Sequence, residues 1–282
     1  LHMEAPKLEE ICPQIRRDIV RMVHAVQSGH PGGSLGCVEF FVALFFEIMN
    51  HKKDFKMDGV NEDLFFLSNG HISPVLYSTL ARSGYFETNE LKTFRHINSR
   101  LQGHPATKEK LPGIRIATGS LGQGLSVAIG ACLSKKLNQD PSLVYCLCGD
   151  GEMQEGQVWE GLMYASAKKI DNLIMTIDLN KQQICGSTDE ILSLGDLNKK
   201  ITSFGWDLIE IQNGNDIQSV LQGIKKAIGL TKKEKPVCIL LNTQMGYGID
   251  FMMGSHEWHG IAPNDEQLKL ALNQLEETLG DF

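Results

Sequence analysis

Gly149-Asp150-Gly151-Glu152 sets an acid between two glycines, and Asn180 follows thirty positions after Asp150 in the run Asp178-Leu179-Asn180-Lys181-Gln182. A carboxylate and an amide oxygen are hard donors, suited to Mg2+ or Ca2+. Magnesium is usually held by one or two protein oxygens, with phosphate oxygens completing the octahedron. Gly149 and Gly151 lack side chains, so main-chain amides there can approach such a phosphate closely. Gly-Asp-Gly alone is also a common turn. Asn180 makes the metal–phosphate reading the stronger one, because one helix and one strand fit between it and Asp150. Cys146 and Cys148, two apart on the preceding strand, face the same side without further ligands and read as core.

These residues need strands that end beside one another. Short apolar runs at 143–148, 173–177, Asp207–Ile211 and 237–241 read as buried parallel strands, with an earlier candidate at Leu64–Leu67. Helical stretches of crossover length fall between them at 122–137, 157–168, 196–204 and Ile217–Ile228. Further helices are expected at 8–26, 38–49 and 74–82, and in the tail from Asn264. The alternation predicts an α/β fold, a doubly wound, mostly parallel sheet flanked by helices. Ligands of such sheets bind beyond the carboxyl ends of the strands, where Asp150 and Asn180 stand. The stretch 122–137 is apolar or small on nearly all faces, as in a buried helix or one at a subunit contact. With no convincing linker, a single domain over 3–282 is expected.

Composition narrows the classes. The 282 residues are 42% apolar and 22% charged, which suits a soluble globular chain and excludes a disordered or collagen-like one. A net charge of −7 without a basic stripe argues against nucleic acid and anionic membrane surfaces as partners. No apolar run approaches the roughly 18–20 residues of a membrane span. The first residues lack the pattern of a signal peptide, and Leu1-His2 before Met3 reads as vector-derived. Seven scattered cysteines, an odd number, point to a reducing compartment and so to the cytoplasm. No strand is followed by G-x-G-x-x-G, which argues against a nicotinamide-binding protein.

Six motifs then occur in order: SGHPGGSLG at 28–36, SNGHISP at 68–74, GHP at 103–105, GSLGQG at 119–124, GDGEMQEG at 149–156 and WHG at 258–260. In sequence and spacing they resemble the transketolase family of thiamine-diphosphate enzymes. The resemblance implies that Asp150, Asn180 and the main-chain oxygen of Gln182 hold Mg2+ (or Ca2+), and that Gly151 lies at the diphosphate, with Gly149 beside it as a further cofactor contact read from its place next to the acid. It implies that Gly119 and Leu121 line the cofactor's rings. His30, His71, His104 and His259 would surround the reactive carbon and the sugar, with His104 on the donor's C1 hydroxyl and His30 and His259 as proton shuttles. Glu155 matches a carboxylate near a subunit interface that helps couple paired sites. Histidine suits such proton traffic because its unperturbed pKa is roughly 6.5. The family often reads Ile-Asp-Gly where this chain has Ile184-Cys185-Gly186, a change that could alter the surroundings of the metal. His24, His51 and His96 read as ordinary helix or surface residues and His256 as an exposed loop residue. Met245, Met252 and Met253 read as loop or interface packing, and Trp258 as a loop anchor or a support for His259.

A transketolase continues into a pyrimidine-binding domain, whose glutamate activates the cofactor. The resemblance therefore implies the N-terminal subunit of a two-gene transketolase, joined in a heterotetramer by a separate C-terminal transketolase subunit. Its activity would move a two-carbon ketol unit from a ketose to an aldose phosphate. The alternatives are the leading part of a longer transketolase chain, the same chemistry on sulfonated or branched sugars, or a non-catalytic protein that kept the fold.

Overall fold

The computed structural model of the chain describes residues 7–282, so residues 3–6 of the expected domain lie outside the described residues. The described residues open with helices α1 (Leu8–Ala25), α2 (Pro31–Gly36) and α3 (Val38–Ala43), then β1 (Leu64–Leu67) and α4 (Ser73–Arg82). Next come α5 (Gly124–Leu137), β2 (Val144–Gly149), α6 (Gly156–Ala167) and β3 (Leu173–Leu179). A small hairpin, β4 (Gln182–Gln183) and β5 (Gly186–Ser187), leads to α7 (Thr188–Leu192) and α8 (Leu197–Ser203). β6 (Asp207–Ile211), α9 (Ile217–Ile228), β7 (Val237–Asn242) and α10 (Asp265–Gln274) follow.

Five strands pair in the order β1-β2-β3-β7-β6, all parallel. Crossovers between parallel strands are right-handed, so the direction of each step decides the face its helix covers. From β1 through β2 and β3 to β6 the chain advances one way, and α5, α6 and α8 pack on one face. The step from β6 to β7 runs back, which places α9 on the other face with α1, α3 and α4. Strand residues alternate between the two cores. Tyr145 and Leu147 enter one, while Val144, Cys146 and Cys148 enter the other. This is the expected doubly wound sheet.

The strands outrun their apolar runs at the carboxyl ends, where ladder pairing continues to Gly149↔Asp178 and Leu179↔Asn242. One helix expectation is corrected and another is narrowed. The helix expected over 38–49 ends at Ala43 and widens into a π-turn over Leu44–Ile48. That turn sets Phe41 and Phe45 edge-on to Phe65, each at 5.4 Å. The stretch 122–137 is not buried all round: α5 starts at Gly124 and leaves Val127 42% and Leu137 85% exposed, because the sheet covers only one side. Buried ion pairs join the helices that lead to the histidine loops. Arg16 binds both oxygens of Glu39 at 2.5 and 2.7 Å, and Arg82 binds both oxygens of Asp18 at 2.8 Å. Losing one partner of such a pair costs about 3–5 kcal/mol, so α1, α3 and α4 are fixed relative to one another.

Candidate active site

The carboxyl ends of β1, β2 and β3 open into a cleft of ≈ 420 Å³. Pairing of Gly149 with Asp178 brings the Asp150 and Asn180 loops side by side. Asp150 is buried; its Oδ1 accepts the Gly151 amide at 2.7 Å and its Oδ2 accepts the Lys181 amide at 2.5 Å. Asn180 donates Nδ2 to Asp178 at 2.7 Å and accepts the Gln182 amide on Oδ1 at 2.9 Å. Asp178 is also buried and takes the Thr243 hydroxyl at 2.5 Å. Burial first, and the Asp178 charge second, push Asp150 up to about 7. A divalent cation would relieve both causes. Among the described residues, no three His, Cys, Asp or Glu side chains gather around a metal position. The donors at hand are one carboxylate with amide and main-chain oxygens, a set that leaves coordination positions for phosphate.

Four imidazoles line the same cleft. His30 lies 5.1 Å from His71, 6.2 Å from His104 and 5.7 Å from His259, centroid to centroid. His71 stacks on His259 at 5.1 Å. Each comes from a different segment: His30 precedes α2, His71 sits in the turn before α4, His104 follows Gly103, and His259 ends the turn 256–259. Gly29 adopts φ +141°, and a side chain there would strike Val23 at 2.9 Å, so glycine sets the approach to His30. Gly119 adopts φ +138° with its missing Cβ only 2.9 Å from His104, so that ring packs directly on backbone. Burial, followed by the neighbouring His259, Arg95 and His104, lowers His30 to about 4. Burial likewise lowers His71, His104 and His259. Neutral imidazoles each offer one N–H and one lone pair.

A family model described as transketolase, thiamine diphosphate binding domain, matches residues 9–278. The chain belongs to the transketolase family. It is 35% identical over 277 residues to an apulose-4-phosphate transketolase subunit of Phocaeicola vulgatus, covering 98% of this chain and 96% of that one. It is 38% identical over 265 residues to the 6-deoxy-6-sulfo-D-fructose transketolase subunit SqwG of Clostridium sp. (strain MSTE9), covering 93% and 94%. The crystal structure of transketolase from Campylobacter jejuni superposes with a TM-score of 0.87 at 32% identity, covering 97% of this chain and 43% of that one. This chain thus spans nearly the whole of the two relatives named as transketolase subunits and under half of the Campylobacter enzyme.

Every residue singled out for the transketolase site lines the cleft: Asp150, Asn180, Gln182, Gly149, Gly151, Gly119, Leu121, Glu155 and the four histidines. The other described histidines stay outside it. His24 bonds Asp265, His51 bonds the Tyr85 hydroxyl and the Phe45 carbonyl, and His96 and His256 are exposed. Met245 and Met252 are buried, and Met245 packs on Gly32. Trp258 packs on Phe251 at 5.4 Å. Cys185 is exposed on the turn of the β4–β5 hairpin, whose Ile184 reaches the cleft. Sequence reasoning missed Asn69, Asp178 and Glu152 as cleft residues. Asn69 and Glu152 stand inside two of the quoted motifs, and Asp178 opens the run that carries Asn180.

The cleft fits the family's cofactor on an observation independent of the match. Asn69 Oδ1, His30 Nδ1 and His259 Nδ1 are buried without a hydrogen-bond partner. Buried polar atoms left unpaired cost about 1–3 kcal/mol each, a cost that a ligand with polar ring and hydroxyl groups can remove.

Proposed function

We propose that this chain is the N-terminal subunit of a split transketolase that moves a two-carbon ketol unit from a ketose to an aldose phosphate. The observation that carries the reading is the meeting of Asp150 and Asn180 with four neutral histidines at one end of the sheet. Calorimetric titration with thiamine diphosphate, with and without Mg2+, tests it: metal-dependent binding is expected, and no binding under either condition would contradict it.

Thiamine diphosphate supplies the electron sink for cleaving and forming a C–C bond beside a carbonyl. Asp150, Asn180 and the main-chain oxygen of Gln182 hold Mg2+ (or Ca2+), and the side-chain-free backbone at Gly149 and Gly151 lies against the diphosphate. Gly119 and Leu121 line the rings, and His71 lies alongside. His104 hydrogen-bonds the donor's C1 hydroxyl. His30 and His259 accept and return hydroxyl protons, a task for which neutral imidazoles are ready as bases. Glu155, exposed at the start of α6, lies towards a subunit interface that couples paired sites.

The chain is a single diphosphate-binding domain, supported by one sheet with a core on each face. Its partner is a C-terminal subunit carrying the pyrimidine-binding domain. Support comes from the relatives named as transketolase subunits, and from apolar Ile184, Ile191 and Leu192, which are 63%, 47% and 58% exposed around the hairpin beside the cleft. Exposed Val127, Met163 and Tyr164 on α5 and α6 support a second contact between copies, and so a heterotetramer. Free cysteines throughout support a cytoplasmic setting, and no helix among the described residues is long and apolar enough to cross a membrane.

A branched or sulfonated sugar is the second reading, favoured by relatives named for apulose-4-phosphate and 6-deoxy-6-sulfo-D-fructose. Comparing kcat/KM for these ketoses and for an ordinary ketose phosphate in the assembled enzyme decides between the two.

A further inference from the structure

Glu152 is 2% exposed, and its carboxylate accepts three hydrogen bonds from three different segments. Oε1 takes the Ser68 hydroxyl at 2.5 Å and the Gly122 amide at 2.7 Å, and Oε2 takes the Gly149 amide at 3.0 Å. Ser68 Oγ in turn accepts the Gly124 amide at 3.0 Å. The packing there is close: a side chain at Gly124 would lie 2.4 Å from the Ser68 Cβ. One buried acid thus ties the end of β1, the loop before α5 and the end of β2. All its donors are neutral, so an ionised carboxylate, an acceptor only, satisfies them all. Hydrogen bonds to an ionised acceptor are roughly twice as strong as neutral ones, which makes this a stiff junction.

The segments it joins carry residues assigned to different parts of the cofactor. Gly149 adjoins Asp150 and Gly151, whereas Gly122 belongs to the turn that carries Gly119 and Leu121. We propose that Glu152 is a positioning residue that couples the diphosphate end of the cleft to its ring-binding end, so that filling the first orders the second. The proposal rests on the reading of the cleft as a thiamine diphosphate site. Fixing Gly149 against a bound diphosphate fixes Glu152, and through it the Gly122 and Gly124 amides. The ordering cost of the ring-binding turn is then met before the rings arrive. Glutamine at 152 cuts this link whichever way its amide turns. Its NH2 faces either the Gly149 N–H or the Gly122 N–H, donor against donor.

The test uses Mg2+ with inorganic pyrophosphate as a probe of the diphosphate end alone, read by amide hydrogen exchange at Gly122 and Gly124. In the wild-type chain the probe should slow exchange at both amides about 10-fold, a typical coupling. Glu152→Gln should still bind the probe by calorimetry but show no slowing at Gly122. Ser68→Ala removes the tie from Glu152 to β1 and with it the strut to Gly124, but leaves the Gly122 bond to Glu152, so it should lose slowing at Gly124 and keep it at Gly122. That variant also decides the matter if Glu152→Gln does not fold. Probe binding with equal slowing in Glu152→Gln, or Ser68→Ala affecting both amides or neither, would overturn the coupling alone. A wild-type chain that binds no Mg2+–pyrophosphate would overturn the coupling together with the site reading.

Discussion

Asp150 is a carboxylate placed where its charge is costly, buried beside Asp178 with main-chain amides as its hydrogen-bond donors. Such a residue is tolerated where a cation completes the site. Asp150→Ala should therefore abolish Mg2+-dependent thiamine diphosphate binding while the chain stays folded; unchanged affinity by calorimetry would remove the metal assignment. The histidines make a different prediction. His30 is pushed down to about 4 from 6.5, so between those values an unfolded chain takes up a proton that the folded chain refuses. Stability then falls as pH drops from about 6.5 to about 4, and the group contributes nothing to stability above that window. His30→Asn should melt at a temperature closer to, or above, that of the wild type as the pH falls through this range. A difference in Tm that does not change with pH would contradict the neutral imidazole. In the assembled enzyme, His30→Ala and His259→Ala should each lower kcat at least ~10²-fold with cofactor affinity nearly kept, the lower range for lost proton transfer. Lost cofactor affinity with normal kcat at saturation would instead make them binding residues.

The strands were legible as elements because each is a compact apolar run bounded by polar or glycine residues. The six motifs and the Asp178–Gln182 run located most of the cleft's side chains. What stayed hidden is held by packing rather than pattern. PGGSLG, which forms α2, has poor helix propensity and reads as loop. It is helical because Pro31 starts it and its glycines let neighbours close in, with Gly33 against Ile72 and Gly32 against Met245 and the Trp258 carbonyl. The β4–β5 strands, two residues each, are too short to show a period. Asp178 and Glu152 act through buried hydrogen bonds that no spacing reveals. The tightness at Gly32 gives an element-scale prediction. A Cβ there would lie 2.7 Å from both Met245 Cγ and the Trp258 carbonyl oxygen, and the carbonyl cannot step aside as a flexible side chain can. Gly32→Ala should destabilise the chain by about 1–3 kcal/mol, the usual cost of overpacking. It should also part α2 from the segment that holds His259. An unchanged denaturation midpoint would show that the two elements are not in firm contact.

At the scale of the molecule, the chain matches the relatives named as transketolase subunits nearly end to end but only 43% of the Campylobacter jejuni transketolase. Its cleft opens beside exposed Ile184, and the chemistry of the proposed reaction asks for a pyrimidine-binding partner over that opening. With one side open to water, the cleft lacks the enclosed, preorganised surroundings that a carbanion-forming site depends on. The most direct test is a ketol-transfer assay from a ketose to an aldose phosphate, run on the purified chain with thiamine diphosphate and Mg2+ while the C-terminal subunit is titrated in. No transfer by the chain alone is expected, and activity should rise with added partner and saturate near one partner per chain. Transfer at the full rate with no second polypeptide present would contradict the split-enzyme reading.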